Sequence, residues 1–292
     1  MHDGELEVGA ELVRRLVAEQ FPELRDLPVS RVRSTGTVNA IFRIGDQLCA
    51  RLPRLPHGSQ DLDREWHWLP RLAPQLSLTI PKPVGRGRPA DGYPLPWSVY
   101  RWIDGRPYAD GLVADEVRAA QDLARFVTEL RAVNPAPDAP PAGRRPLREL
   151  DDVTRQAIQA SAGVIDSVAA ADAWVRALQA PPWLGPPRWI HTDLLPPNLL
   201  VRHGRLHAVI DFGAAGVGDP AADVVAAWSV FGELGRPVFR EALQVDDGTW
   251  ERARGYALHQ AALIIPYYAT TNPGFVSVAR RTVAHVLDDL AD

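Results

Sequence analysis

His191-Thr192-Asp193-Leu194-Leu195-Pro196-Pro197-Asn198, with Asp211-Phe212-Gly213 a short way beyond, is the stretch whose reading decides the fold of this chain. Asn198 stands five residues after Asp193, and Asp211 thirteen after Asn198. Between them, residues 199–210 read as two short apolar strands around the turn His203-Gly204. A tight hairpin brings the chain back to the end it left from. Asn198 and Asp211 are therefore expected at one end of that hairpin, within reach of one metal cluster.

Taken singly, Asp193 and Asn198 are turn formers and cap residues. Together with an Asp-Phe-Gly that follows an apolar strand, they form a multi-part pattern whose chemistry is phosphoryl transfer. That reaction wants one carboxylate beside the attacking hydroxyl and two oxygen ligands on magnesium. Asp193 is the candidate for the first role, Asn198 and Asp211 for the second.

A chain of 292 residues is long for one small core and suits two domains or lobes. At 46% hydrophobic and 23% charged residues, the composition is that of a soluble globular protein. No run reaches the length of a membrane span and no leader pattern opens the chain, so a cytoplasmic protein with no membrane partner is expected. The net charge of -4, without a basic stretch, argues against nucleic acid as a partner. Cys49 is the single cysteine, which excludes an internal disulfide framework and a cysteine-rich metal site; in Leu48-Cys49-Ala50 it reads as a buried core residue. Of the 32 basic residues only Lys82 is a lysine.

The pattern predicts a helix over 5–20, then β-like segments at 29–34, 39–44 and 47–51, with Gly45-Asp46 turning the second into the third. A helix over 60–72, bent or ended by Pro70, is followed by strands at 81–85 and 97–103. These complete a five-stranded antiparallel sheet with one packed helix. Beyond Asp104-Gly105-Arg106-Pro107 helical character dominates, with helices expected over 111–133, 148–179, 221–234, 249–269 and 276–290. The proline-rich 134–146 reads as a surface loop, and 188–190 as a strand. The expected architecture is α+β and bilobal. A nucleotide-binding lobe over 1–103 includes the hinge, and a helical lobe over 104–292 carries the metal motifs and the acceptor pocket. Lobes so arranged leave a cleft that shields a nucleotide from water.

With these motifs the chain resembles the aminoglycoside phosphotransferase family, the protein-kinase-like small-molecule kinases that also include macrolide and choline kinases. The resemblance runs over most of the chain and is most specific from Ile190-His191-Thr192-Asp193 through Gly218-Asp219-Pro220-Ala221-Ala222-Asp223. It implies that Asp193 orients the acceptor hydroxyl and accepts its proton, that Asn198 and Asp211 hold Mg2+, and that ATP or GTP is the donor. His191, Asp219 and Asp223 would brace the loop rather than touch substrate.

The small lobe departs from that pattern twice. Ser34-Thr35-Gly36-Thr37-Val38-Asn39 stands where protein kinases carry a glycine-rich loop, but holds one glycine. Ser34, Thr35 and Thr37 could cover the phosphates, or the segment is an ordinary polar hairpin. Arg51 stands where the third strand normally presents a lysine, and Glu65 on the following helix is its candidate partner. A guanidinium grips phosphate oxygens in pairs; the alternative is that both residues are solvated surface charges. The base is expected against the backbone of Val99-Tyr100-Arg101-Trp102.

Only Ala214-Ala215-Gly216-Val217-Gly218 separates Gly213 from Asp219-Pro220, which leaves no room for a peptide-docking platform. A small molecule with a free hydroxyl is the expected acceptor. Candidate pocket walls are Trp228, Phe231 and Glu233, and then Tyr256, His259, Gln260, Tyr267 and Tyr268. Asp246, Asp247 and Glu251 offer three carboxylates for a polycation, or a solvated turn and helix start. An antibiotic acceptor of aminoglycoside, macrolide or nucleoside type, with resistance by phosphorylation, is the leading expectation. A metabolic kinase for choline, homoserine or a sugar-like acceptor is the alternative, and a non-catalytic nucleotide-binding protein is a third.

Overall fold

The structure is a computed structural model that describes residues 6–32, 39–56 and 58–291. These residues divide into two compact units. The first comprises the chain up to Pro74 with Thr79–Asp104 and Ile210–Gly213, and the second Gln75–Leu78, Gly105–Val209 and the chain from Ala214 onward. Among the described residues no helix is long and apolar enough to cross a membrane.

The first unit is built on β1 (Val29–Arg31), β2 (Asn39–Ile44), β3 (Leu48–Pro53), β4 (Pro83–Gly87) and β5 (Trp97–Arg101). They form one antiparallel sheet in the order β1-β2-β3-β5-β4. Alternation along β2 buries Ala40, Phe42 and Ile44 on one face. Helix α1 (Ala10–Gln20) presents Val13, Leu16 and Val17 at helical spacing, and these pack with Phe42, Leu52, Trp97 and Val99 into one core. Gly87 makes room for that core: a Cβ there would lie 2.0 Å from the Trp97 ring. Cys49 is buried in β3, and burial pushes its thiol up to about 11.

Helix α2 (Gly58–Leu72) runs through Pro70 rather than ending there. Proline removes one backbone donor, and the buried Leu62, Glu65, Trp68, Leu69 and Leu72 hold the helix in place around it.

In the second unit β6 (Arg106–Pro107), β8 (Leu199–Arg202) and β9 (Arg205–Val209) form a small antiparallel sheet, with β7 (Arg188–Ile190) paired to β10 (Gly216–Gly218). The β8–β9 turn has His203 at φ 51° and Gly204 at φ 75°, the left-handed pair that a two-residue hairpin requires. The helices are α3 (Glu116–Ala132), α4 (Asp151–Ala160), α5 (Ser167–Gln179), α6 (Ala226–Ser229), α7 (Gly235–Leu243), α8 (Asp247–Tyr267) and α9 (Pro273–Ala291).

Helices α1 and α3 begin at Ala10 and Glu116, later than the periodicity predicts, and three further stretches differ more. The stretch 148–179 is two helices, because the chain turns at 161–165 with Gly163 at φ 83° and restarts on Asp166, whose carboxylate caps Val168 and Ala169. The expected 221–234 helix is a 3-10 turn (Pro220–Val225) followed by the single turn of α6. Helix α7 was not expected at all. Helix α8 is buried on every side along Trp250–Ile265; a helix so enclosed is a core strut, and its position fixes what lies against it.

Candidate active site

Arg51 leaves β3 and meets Glu65 of α2. Its Nη1 donates to both carboxylate oxygens of Glu65, at 2.7 and 2.8 Å, and its Nη2 to Asp211 Oδ1 at 3.2 Å. Both partners of the first pair are withdrawn from solvent, with side-chain exposures of 11% and 0%. Burial alone would lower the Arg51 pKa, but the charges of Glu65 and Asp211 outweigh it and hold the guanidinium above its ordinary value. Glu65 also accepts from the Tyr100 hydroxyl at 2.6 Å and from the Phe212 backbone N–H at 3.0 Å. A buried carboxylate demands such partners. Here they tie β3, α2, β5 and Asp-Phe-Gly to one point. Asp61, one turn before Glu65, packs against Gly213, where a Cβ would come within 2.8 Å of the Asp61 Cβ. Burial and the nearby Asp211 raise the Asp61 pKa.

Three of the residues expected at the nucleotide need a different description. The Val99 and Tyr100 positions of β5 are paired to both β3 and β4, and the Trp102 N–H donates to Gln47 O at 2.8 Å. Those groups are spent on the sheet, so base recognition by the backbone of Val99 or Tyr100 is not what this strand offers. Tyr100 instead braces Glu65, and burial with the Glu65 charge raises its pKa. The Trp102 ring lies under the Arg43 guanidinium, whose Cζ is 4.4 Å from the ring centroid, and donates through Nε1 to Asp104. Ser34, Thr35 and Thr37 lie outside the described residues.

In the second unit the segment after β7 carries Asp193. Thr192 has φ 76°, a conformation that a β-branched residue adopts only under constraint. The constraint is Asp223, fully buried, which accepts from the His191 N–H at 3.0 and 2.8 Å and from the Thr192 N–H at 2.7 Å. Burial raises the Asp223 pKa while His191 and the two N–H bonds pull it back. Arg144 closes the other side, donating to the Thr192 carbonyl at 2.9 Å. His191 accepts the Asp193 N–H on Nδ1 at 3.3 Å. Asp219 caps Ala221 and pairs with Arg252 of α8 at 2.8 and 3.2 Å. Arg144 comes from the proline-rich loop, and nothing in its sequence context signalled that it would reach this segment.

Asp193 is gripped by two amides. Asn198 Nδ2 donates to Oδ2 at 2.6 Å and to the Asp193 carbonyl at 3.0 Å, while Gln260 Nε2 of α8 donates to Oδ1. The Asn198 bond spends the amide nitrogen and not Oδ1. A neutral Oδ1 of that kind and the half-exposed carboxylate of Asp211 are hard oxygen donors, the chemistry magnesium takes. Asp211 itself stands at φ 71°.

The acceptor walls divide. Trp228 is fully buried with its ring 4.4 Å from that of Trp250, and Tyr256 is buried as well. Both are core residues with no surface to offer an acceptor, a correction to their expected place. His259 is likewise buried, against Thr154 and Trp174. Glu233 and Tyr267 are exposed, and Tyr267, Tyr268 and Phe275 form an edge-on aromatic chain. Asp246 caps α8 through Thr249, Asp247 pairs with Arg240, and Glu251 pairs with Arg176 and Arg254. These three are a helix start and its ion pairs. Beside Gln260, a crevice between α8 and α9 is lined by Leu195, Ala261, Ile264, Phe275 and Ala279, with no carboxylate in its wall.

A family model described as a phosphotransferase enzyme family matches residues 30–256. No curated protein matches the chain. Among solved structures, the GDP and kanamycin complex of an APH(2″) enzyme is similar, with TM-score 0.71 and 22% identity over 96% of this chain and 98% of that one. The streptomycin–ATP ternary complex of APH(2″)-IIa gives 0.60 and 17%, covering 88% and 89%. A macrolide 2′-phosphotransferase from Brachybacterium faecium gives 0.61 and 22%, covering 94% and 98%. At these identities the likeness shows a shared kinase-like fold. The family model is the stronger finding, because it runs from β1 into α8 and takes in Arg51, Glu65, Asp193, Asn198 and Asp211; the chain belongs to the phosphotransferase enzyme family.

Proposed function

We propose that the protein transfers the γ-phosphoryl group of ATP or GTP to a hydroxyl of a small molecule, and that the acceptor is an antibiotic inactivated by the modification. The observation that carries this reading is the setting of Asp193: a carboxylate at the end of a strained segment, fixed by the amides of Asn198 and Gln260. Asp193 orients the acceptor hydroxyl and takes its proton. The hydroxyl oxygen bonds to the γ-phosphorus as the bond to the β–γ bridging oxygen breaks, and the nucleoside diphosphate leaves. Asn198 and Asp211 are the ligands for magnesium, which neutralises charge on the triphosphate when bound. Arg51, oriented by Glu65, reaches for phosphate oxygens.

Among the similar structures, one holds kanamycin with GDP, one holds streptomycin with ATP, and one is a macrolide 2′-phosphotransferase. Asp246, Asp247 and Glu251 are engaged with their own helix and with arginines. These three therefore offer no free carboxylate cluster to a polycation, which favours a macrolide- or nucleoside-like acceptor.

The test is incubation with magnesium and ATP or GTP against antibiotics, nucleosides, sugars and amino alcohols. Nucleotide loss and acceptor mass are followed together. A gain of about 80 Da on one compound, a phosphoryl group in place of a proton, is the expected result. Nucleotide binding with no product from any acceptor contradicts the reading.

A further inference from the structure

We propose that Gln260 is a positioning residue for Asp193, which sets the plane of its carboxylate from the core helix α8; the inference rests on the role of Asp193 in phosphoryl transfer. Gln260 was expected as a wall of the acceptor pocket. Its side chain does something more specific, since Nε2 donates directly to Asp193 Oδ1.

The surroundings make this contact informative. Gln260 sits on α8 among Ala257, Ala261 and Ile264, and faces Leu195 and the α9 residues Phe275 and Ala279. An amide in apolar company is costly unless its hydrogen bonds are made. One half is met by Asp193, while Oε1 is buried without a partner among the described residues. Leucine or methionine at 260 would carry no such penalty. What the glutamine gains is the bond to the carboxylate.

The two amides have different origins, and that defines the division of labour. Asn198 belongs to the segment that carries Asp193 and moves with it. Gln260 belongs to a helix enclosed on all sides, and its helix is tied to the same region again through Arg252 and Asp219. A carboxylate held at Oδ2 by the first and at Oδ1 by the second cannot turn about its Cβ–Cγ bond without breaking both. Gln260 thus references the acceptor-orienting group to the rigid core, and small errors of placement are expensive in a reaction that depends on alignment.

The experiment compares Gln260→Met, Gln260→Glu and Gln260→His with wild type and Asp193→Asn. Phosphoryl transfer is followed both to the acceptor found in the panel and to water from magnesium ATP. Gln260→Met removes the donor at similar length and suits the apolar neighbours. Its kcat is expected to fall about 10- to 100-fold, with the nucleotide KM and the melting temperature unchanged. Gln260→Glu, which sets a second carboxylate against the first, falls further; Gln260→His keeps an N–H donor and recovers part of the loss. A structural role alone would lower the melting temperature and leave the turnover of folded enzyme intact. Wild-type kcat in Gln260→Met, with Asp193→Asn inactive, overturns the inference and leaves the reading of Asp193 standing. Transfer persisting in Asp193→Asn overturns that reading itself. If Gln260→Met does not fold, wild-type turnover in the near-isosteric Gln260→Glu overturns the inference equally.

Discussion

Arg51 and Glu65 meet through a single guanidinium nitrogen that donates to both carboxylate oxygens, at 2.7 and 2.8 Å, away from solvent. The pair is not symmetric in what surrounds it. Glu65 holds two further donors, the Tyr100 hydroxyl and the Phe212 N–H, whereas Arg51 has the longer contact to Asp211 and lies over the Tyr100 ring, 5.5 Å from its centroid. Removing one member of a buried pair costs about 3–5 kcal/mol when the other is left uncompensated. Glu65→Ala should therefore approach that range in urea denaturation. Arg51→Ala leaves the buried Glu65 carboxylate with neutral donors alone and should cost a similar amount, while its nucleotide KM rises at least about tenfold. An unchanged KM would count against this assignment.

Tyr100→Phe isolates one bond of the same cluster. The hydroxyl serves Glu65 and is buried, and a hydrogen bond to a charged group contributes about 1.5–3 kcal/mol. Stability should drop by that order with little change in nucleotide KM. A large KM effect with no stability loss would return Tyr100 to the nucleotide.

His259 predicts a pH dependence of stability. Its Nδ1 lies 2.7 Å from Thr154 Oγ1, whose own proton goes to the Leu150 carbonyl at 2.6 Å, so Nδ1 carries a proton and donates. Burial, with Arg144 and Arg145 adding to it, pushes its pKa down from 6.5 to about 4. The folded state binds this proton more weakly than the unfolded chain does. Its contribution is complete above pH 6.5 and is lost as pH falls toward 4. Each unit of that interval is worth about 1.4 kcal/mol. Denaturation midpoints measured across it should fall for wild type and flatten in His259→Gln; parallel curves would refute the mechanism.

Asp223→Asn tests what holds the strained segment. The asparagine turns an NH2 group toward backbone donors of His191 and Thr192 that a carboxylate now accepts. A stability loss of about 1–3 kcal/mol is expected, with kcat falling while nucleotide affinity is retained. Wild-type turnover would show that Thr192 keeps its φ of 76° by other means.

The elements legible from periodicity were those whose pattern is local. The five-stranded sheet, the His203-Gly204 hairpin and α8 each follow from alternation, turn chemistry or an apolar run. The break at 161–165 and helix α7 were not, because their boundaries depend on caps and packing with distant segments. The same division holds at the site. Asp193, Asn198 and Asp211 share one short stretch with a chemical spacing. Arg144 and Gln260 reach it from 48 and 67 residues away, as side chains whose partners only the fold supplies. Trp228 and Tyr256 looked like pocket walls because an aromatic residue reads alike in a core and at a surface; their burial decides between the two.

The most direct test of the central claim is turnover in Asp193→Asn, measured with nucleotide binding on the same preparation. Asparagine keeps the shape but offers the amides of Asn198 and Gln260 one acceptor oxygen instead of two, and it cannot accept the hydroxyl proton. Nucleotide affinity close to wild type with phosphoryl transfer abolished is the predicted result. Substantial residual transfer would contradict the assignment of Asp193 as the group that orients and deprotonates the acceptor.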